Sequence, residues 1–473
     1  MKPIRILVFA PMPPTISGGI EEYAYSVVAE MQKQQQQQQQ QNNMDLKIRV
    51  VTSRFKDNSK YPSAADGYIL IPSSIVCKRP LPISLLAFFK VINAIRESDI
   101  IHIHMPYPFL ETFAAFFSKL FSKKVIVTYH MDAKIDDDDN DDKDNDNNRR
   151  SENIKENNNN KNKKLLYYFV EKMYYWLSAR CALVLCDRIC TNTKAYAVAS
   201  PFLKKYMSKV QVIHQGIRKE LYDYMDQSYV SEIRPKYLGQ NYSYIVTFVG
   251  RLVPYKGLPY LIDAIRLLQK SNNRNNNNRN KIFFIIGGNG PQKQYLCNLV
   301  KSYNLDNVIF AGYVKDQDLF NLFAASDLVV SPSVSELEST PISLLSALAA
   351  GTSVIGTSIG GTAETIPNDG IRSSIIPIKN SKVLAETITS MLGKIKQRKE
   401  KLETNDNNEE MENNNQSKNN KNPPTPRFWS DVAKDYIQLV YRLLDNQAIK
   451  KDNNDTHPKG KKHLLTRGKI MDL

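Results

Sequence analysis

Two cations and one carboxylate carry the first sign of chemistry. The stretch Phe248-Val249-Gly250-Arg251-Leu252-Val253-Pro254-Tyr255-Lys256-Gly257 leads from an apolar, strand-like run into a helix-like one. Its loop sets Arg251 and Lys256 at the carboxyl edge of a sheet. A planar fork beside a point charge suits a diphosphate, although ordinary exposed loop cations would look the same. Glu338 stands in Ser331-Pro332-Ser333-Val334-Ser335-Glu336-Leu337-Glu338-Ser339-Thr340-Pro341, just ahead of a helical run. A carboxylate there can accept sugar hydroxyls, or simply complement the helix dipole.

Three glycine loops also sit between strand-like and helix-like runs: Ser17-Gly18-Gly19, Gly287-Gly288-Asn289-Gly290-Pro291 and Gly360-Gly361-Thr362-Ala363-Glu364. Glycine lets a ligand approach the backbone, and helix N-termini face anions. None is GxGxxG, and no acidic residue closes the second strand, so NAD is not expected. Of the six histidines, His102, His104 and His130 fall at the ends of two strand-like runs. Three such residues read as lining one cleft, where a lone one would read as core. A metal would need further ligands at suitable spacing, and the Asp136–Asp139 run lies in low-complexity sequence. No metal site and no cofactor are expected.

The elements that must hold these residues alternate. Near-continuous β-branched runs at 4–10, 47–53, 100–104, 125–130, 188–192 and 210–214 read as parallel strands buried on both faces. Helical patterns at 19–31, 110–123 and 165–179 fall between them. The alternation repeats, with strands at 244–250, 282–287, 308–311, 328–331, 353–356 and 374–377 and helices at 257–269, 292–301, 317–325 and 342–350. The fold class is therefore α/β, with two Rossmann-like, doubly wound parallel-sheet domains facing across a cleft. Their extents are 1–216 and 244–400, joined by a linker at 217–243, with a further helix at 427–446.

The chain has 473 residues and a formal net charge of +16. Dispersed lysine on a basic soluble protein accounts for that charge as well as an anionic partner does. Segments 32–43, 136–163, 271–280 and 404–424 are rich in Gln, Asn or Asp and bury too little apolar surface to offset ordering entropy. They read as solvated insertions, and 447–473 as a disordered basic tail. Cys77, Cys181, Cys186, Cys190 and Cys297 form no CxxC pair, so reduced core thiols are expected. No uncharged apolar stretch of about 20 residues suggests a membrane span, and the N-terminal apolar run suits a strand better than a signal peptide. The expected location is cytoplasmic, with a peripheral membrane contact left open. The aromatic helix at 110–124, with Lys119, Lys123 and Lys124, would serve such a contact, but sheet packing of its aromatic stripe is the favoured reading.

Taken together, these motifs resemble glycosyltransferase family 4, of GT-B architecture. The resemblance rests on Ser17-Gly18-Gly19, Thr128-Tyr129-His130, Val249-Gly250-Arg251 with Lys256-Gly257, Gly288-Asn289-Gly290-Pro291, Ser326-Asp327, the stretch from Glu338 to Gly351, and Gly360-Gly361 with Glu364. Phe428-Trp429 resembles the start of the family's last helix, which crosses back onto the N-terminal domain. The resemblance implies a retaining, metal-independent transfer from a nucleoside-diphosphate sugar to a glycan, lipid or small-molecule acceptor bound by the N-terminal domain. No nucleic-acid partner is implied.

By the same resemblance His130 and Glu338 serve the reaction centre, and Arg251, Lys256, Gly18 and Gly19 the diphosphate. Gly288, Gly290, Ser346 and Glu364 serve the nucleotide or sugar, and His102 and His104 the acceptor side of the cleft. One departure stands out: the family pattern Glu-x7-Glu here ends in Ser346. A hydroxyl has less reach and no charge for a ribose, so Glu336 or Glu364 could hold the ribose instead. The alternative reading is a weakened or inactive nucleotide-sugar-binding protein on the same fold. A phosphorylase or epimerase ranks below both, since no lysine context suggests pyridoxal.

Overall fold

The alternating runs fold as two separate sheets. A computed structural model describes residues 3–14, 19–39, 45–55, 67–76, 79–82, 85–107, 109–131, 177–223, 227–239, 242–274, 281–335, 338–406 and 426–455. The first sheet comprises β1 (Ile4–Phe9), β2 (Leu46–Arg54), β3 (Tyr68–Val76), β4 (Arg79–Pro82), β5 (Ile100–Met105), β6 (Lys124–Tyr129), β7 (Arg188–Thr191) and β8 (Val210–Val212). Around it lie α1 (Gly19–Gln39), α2 (Leu85–Glu97), α3 (Leu110–Leu120), α4 (residues 177–185) and α5 (Lys194–Ala199).

The chain continues through α6 (Lys219–Asp223) and α7 (Gln227–Leu238) to the second sheet. Its strands are β9 (Tyr244–Val249), β10 (Ile282–Gly287), β11 (Val308–Gly312), β12 (Leu328–Ser331), β13 (Ser353–Thr357) and β14 (Ser373–Ile376). With them come α8 (Leu258–Arg274), α9 (Lys293–Ser302), α10 (Asp316–Ala325), α11 (Ile342–Ala349), α12 (Gly360–Thr365) and α13 (Ser381–Asp406), and last α14 (Trp429–Asp455).

The strand orders are β4-β3-β2-β1-β5-β6-β7-β8 and β11-β10-β9-β12-β13-β14. The strands pair in parallel except β3 with β4. In each sheet the winding reverses beside the first strand, at β1/β5 and at β9/β12. The loops leaving those strands part in opposite directions and open a crevice at their carboxyl ends.

Alternate strand residues feed opposite faces. Leu7, Phe9, Ile101 and Val127 pack with α2 and α3, while Ile6, Val8 and Ile100 pack with α1 and α14. The second sheet carries its own core, with Val246, Phe248, Ile286, Leu261 and Ile388. The last helix therefore lies in the first domain's core, through Trp429, Val432, Tyr436 and Val440. Where the chain passes between domains, two segments run side by side. Ile217 N–H donates to Arg427 O at 2.9 Å, and Trp429 N–H to Ile217 O at 3.2 Å. A side chain on Gly216 would begin 2.5 Å from the Phe428 carbonyl carbon, so only glycine allows this approach.

Several boundaries depart from the sequence reading. The Gln-rich segment is not wholly a solvated insertion, because α1 continues to Gln39. Glutamine is a good helix former, and α14 lies alongside, where the Gln34 amide donates to Ser430 O at 2.6 Å. Helix α8 likewise runs four residues into the Asn/Arg segment. The linker holds α6 and α7, and α7 packs against α10 with Ile233 buried. Strands β3 and β4 and helix α13 were not anticipated. Prolines and serines break up the first two, while Lys and Glu hide the buried Leu384–Ile388–Met391–Leu392 stripe of the third. Helix α14 extends to Asp455, into the stretch read as a disordered tail. Segments 136–163 and 456–473, and most of 404–424, lie outside the described residues.

Helix α3 rests on the sheet through Leu110, Ala114, Ala115 and Ser118, with Phe113, Phe117 and Phe121 of its aromatic stripe packed against the same core. Phe113 and Phe117 are half-buried, and Phe116 faces outward. Lys119 and Lys124 pair with Asp187. No helix among the described residues is long and apolar enough to cross a membrane.

Candidate active site

The site on the second domain is made by two loops leaving β9 and β12, the strands at the winding reversal. The β9 loop turns at Gly257, which adopts φ +66°. A side chain there would begin 2.1 Å from Pro332 O, so the β12 loop can lie directly on the β9 loop. Val334 N–H donates to Tyr255 O at 2.8 Å and ties the two together. This contact brings Lys256 to Glu338, 82 residues away, and their side chains form an ion pair through Glu338 Oε2. Ser333 Oγ donates to the same oxygen at 2.9 Å. The two side chains are only 15% and 9% exposed. Stripping water from both charges is costly, and good geometry with added hydrogen bonds offsets that cost.

Arg251, from the same β9 loop, is exposed and makes no ion pair or side-chain hydrogen bond with a described residue. Among the described residues, the β9 and β12 loops thus offer a guanidinium without a partner and a held ammonium–carboxylate pair. Ser333 is the residue the sequence reading missed. It lies in the quoted loop, five residues before Glu338, and only the fold of that loop shows its role.

The glycines of the β10 loop serve a different purpose from the one expected. Gly288, at φ +121°, would carry a side chain 1.8 Å from Gly250 O, and Gly290 one 2.3 Å from Leu252 O. Gly288 N–H donates to Gly312 O at 2.6 Å. These glycines let the β10 loop press against the backbone of the Arg251 loop, so they shape the site from behind. Gly19 opens α1, exposed and with open space where a side chain would be. Gly18, Ser17 and Glu336 lie outside the described residues. Ser346 sits in α11, 3% exposed.

Glu364 is the clearest correction among the nucleotide-side residues. Its carboxylate accepts Lys194 N–H at 2.9 Å and Ala195 N–H at 2.7 Å, both at the start of α5 in the first domain. Thr193 Oγ1 caps the same turn by accepting Tyr196 N–H. Both carboxylate oxygens are therefore engaged across the cleft, so Glu364 links the two domains. Arg218 makes a second link between domains, pairing with Glu22 of α1 and Asp316 of α10.

On the first domain, β5 and β6 bring three histidines together, yet they do not line an open cleft. His102, His104 and His130 are 3%, 0% and 8% exposed, covered by Tyr23 of α1 and Tyr436 of α14. His102 and His104 are core residues, contrary to the acceptor-side expectation. Burial pushes His102 and His130 down to about 3 and His104 well below its ordinary value, so all three rings are neutral. His102 Nε2 bonds Thr128 Oγ1 at 2.7 Å, and Thr128 Oγ1 bonds the Tyr436 hydroxyl at 2.7 Å. His104 Nδ1 bonds His130 Nε2 at 2.9 Å, and the two rings stack. His130, at the mouth of β6 beside the first domain's crevice, is the most exposed of the three.

Two doubly wound domains with their winding reversals at a shared cleft, one carrying a cationic loop, define the GT-B class. Comparison with known proteins agrees. The model for Glycosyltransferase Family 4 matches residues 17–221, and that for Glycosyl transferases group 1 matches 230–408. O-antigen chain mannosyltransferase C of Escherichia coli is 26% identical over 316 residues, covering 67% of this chain and 71% of that protein. Among the first curated relatives the matched segment spans 39% to 71% of their length. Sucrose-phosphate synthase from Thermosynechococcus elongatus has a similar fold, with a TM-score of 0.60 at 16% identity, covering 94% of this chain and 100% of that one. So does Anabaena HepE in complex with UDP-glucose, with a TM-score of 0.54 at 18% identity, covering 82% and 90%. The chain belongs to the GT-B glycosyltransferases of the family 4, group 1 kind.

Proposed function

We propose that this protein moves a sugar from a nucleoside-diphosphate sugar to a glycan, lipid or small-molecule acceptor, with retention of anomeric configuration and without a metal. The carrying observation is the Lys256–Glu338–Ser333 cluster on the loops that also carry Arg251, at the winding reversal of the second sheet. Arg251 and Lys256 hold the diphosphate and stabilise the charge it takes on leaving. Glu338 accepts hydroxyl hydrogens of the sugar, and His130 contacts that sugar from the opposite domain. The new bond from the acceptor oxygen to the anomeric carbon forms on the face from which the diphosphate departs with the electron pair of the broken C–O bond, and the acceptor hydroxyl's proton passes to the departing phosphate oxygen. That a relative of the same fold is held with UDP-glucose supports the donor class.

Incubation with a panel of UDP, GDP and ADP sugars and candidate acceptors tests this reading. It expects release of the nucleoside diphosphate, an α-linked product from an α-linked donor by NMR, and turnover unchanged by a chelator. Donor binding without turnover across the panel would overturn the catalytic reading. An inverted product or chelator-sensitive turnover would overturn the finer mechanism.

A further inference from the structure

The imidazole pair beneath the cleft contains a choice that the rest of the site does not make. His104 Nδ1 and His130 Nε2 lie 2.9 Å apart, and two neutral rings can place only one proton between them. If His130 donates that proton, His104 must carry its own on Nε2. That nitrogen is buried and without a hydrogen-bond partner. The arrangement would leave an orphaned N–H donor in a dry core, which folded proteins avoid more strictly than an under-used acceptor. If His104 donates instead, its Nε2 is a bare lone pair, and His130 carries its proton on Nδ1. His130 Nδ1 makes no hydrogen bond with a described residue, and His130 alone of the three keeps exposure beyond a few per cent.

We infer that His104 is a positioning residue that fixes His130 as the Nδ1–H tautomer, so that the ring presents a hydrogen-bond donor, not a base, to an oxygen of the donor sugar. The inference rests on the proposed contact between His130 and that sugar. The groups packed around the pair are neutral. From β5 comes His102, already engaged with Thr128 Oγ1. From α1 and α14 come Tyr23 and Tyr436, whose hydroxyls bond each other at 3.2 Å, and from β7 the buried thiol of Cys190. Burial raises both phenols and that thiol above their ordinary values, so none supplies a charge.

A proton–nitrogen NMR experiment on the full chain, labelled with 15N-histidine, reads the tautomers directly and needs no turnover. The expected spectrum shows Nδ1–H and bare Nε2 for both His104 and His130. Protonated Nε2 on His130 overturns the inference even if the protein transfers sugar, whereas absent transfer with the expected spectrum sinks only the proposed function. Kinetics then separate positioning from packing. His104→Leu removes the donor and is expected to lower kcat about tenfold with KM changed less than about twofold. His104→Asn, whose amide N–H falls near the place of Nδ1, is expected to recover most of that loss. Equal kcat in the two variants would overturn the role.

Discussion

The two walls of the cleft solve the same problem with opposite means. On the second domain, Lys256 and Glu338 meet each other and Ser333 as an ion pair at the edge of a sheet. On the first, His130 at the surface of the core, with His104 and His102 buried behind it, is stripped of charge by burial. One wall is suited to a charge that grows during a reaction; the other suits a substrate that must be held without being ionised. In the proposed function the diphosphate makes the first demand, on Arg251 and Lys256, and the sugar ring touches both walls, through Glu338 and His130.

Breaking the charged wall should have the largest effect. Lys256→Ala leaves Glu338 buried without its cation and the diphosphate without a fixed ammonium. It is expected to lower kcat/KM by about a thousandfold, measured as nucleotide release at limiting donor. Near wild-type turnover in both Lys256→Ala and Glu338→Gln would remove this wall from the mechanism.

The neutral wall should show itself in stability before activity. Its histidines bind protons more weakly folded than unfolded, so the unfolded state takes up more protons as pH falls through about 6.5. Stability is then full above that pH and declines toward about 3. Between pH 6 and 5 each histidine should cost about 1 kcal/mol. That window lies above the range where Asp99 and Asp187, whose carboxyls are held below their ordinary values, titrate. Urea unfolding at the two pH values checks this, and His102→Leu should flatten the dependence by about a third. A pH-independent midpoint would show that the rings are not sealed.

A smaller effect is expected where the charged wall looks incomplete. Ser346→Glu should tighten nucleoside-diphosphate binding about tenfold if a carboxylate on α11 reaches the ribose. Calorimetric titration with UDP, GDP and ADP decides it, and unchanged affinity would place the ribose elsewhere. The smallest belongs to Glu364. Glu364→Ala removes an exposed cap on α5, so the melting temperature should fall by no more than about 2 °C. A tenfold change in kcat would instead make the contact part of the catalytic cycle.

Much of this contrast was legible in the residues, because parallel strands buried on both faces announce themselves as β-branched runs. Lys256 and Glu338 could be named because each follows such a run. Their contact could not, since it depends on Gly257 letting Pro332 lie against it. The histidines were found but misplaced: strand-end position does not reveal that Tyr436, some 300 residues on, closes over them. Glu364 was read for its own domain because its partners, Lys194 and Ala195, belong to the other. The Gln-rich run misled for a simpler cause: low complexity signals disorder only when nothing nearby rewards a helix, and α14 lies alongside.

The side-by-side passage of Ile217 and Phe428 settles how the molecule can be divided. A single cut after the first sheet would separate it from the helix that seals it, uncovering Tyr23 and the faces of Val27 and Ile100. The first half is not an independent unit followed by a second. It is a shell whose core is completed by α14, so its folding is expected to wait on that helix. A ribosome-bound chain stopped before residue 429 should therefore hold a finished second domain and an unfinished first one.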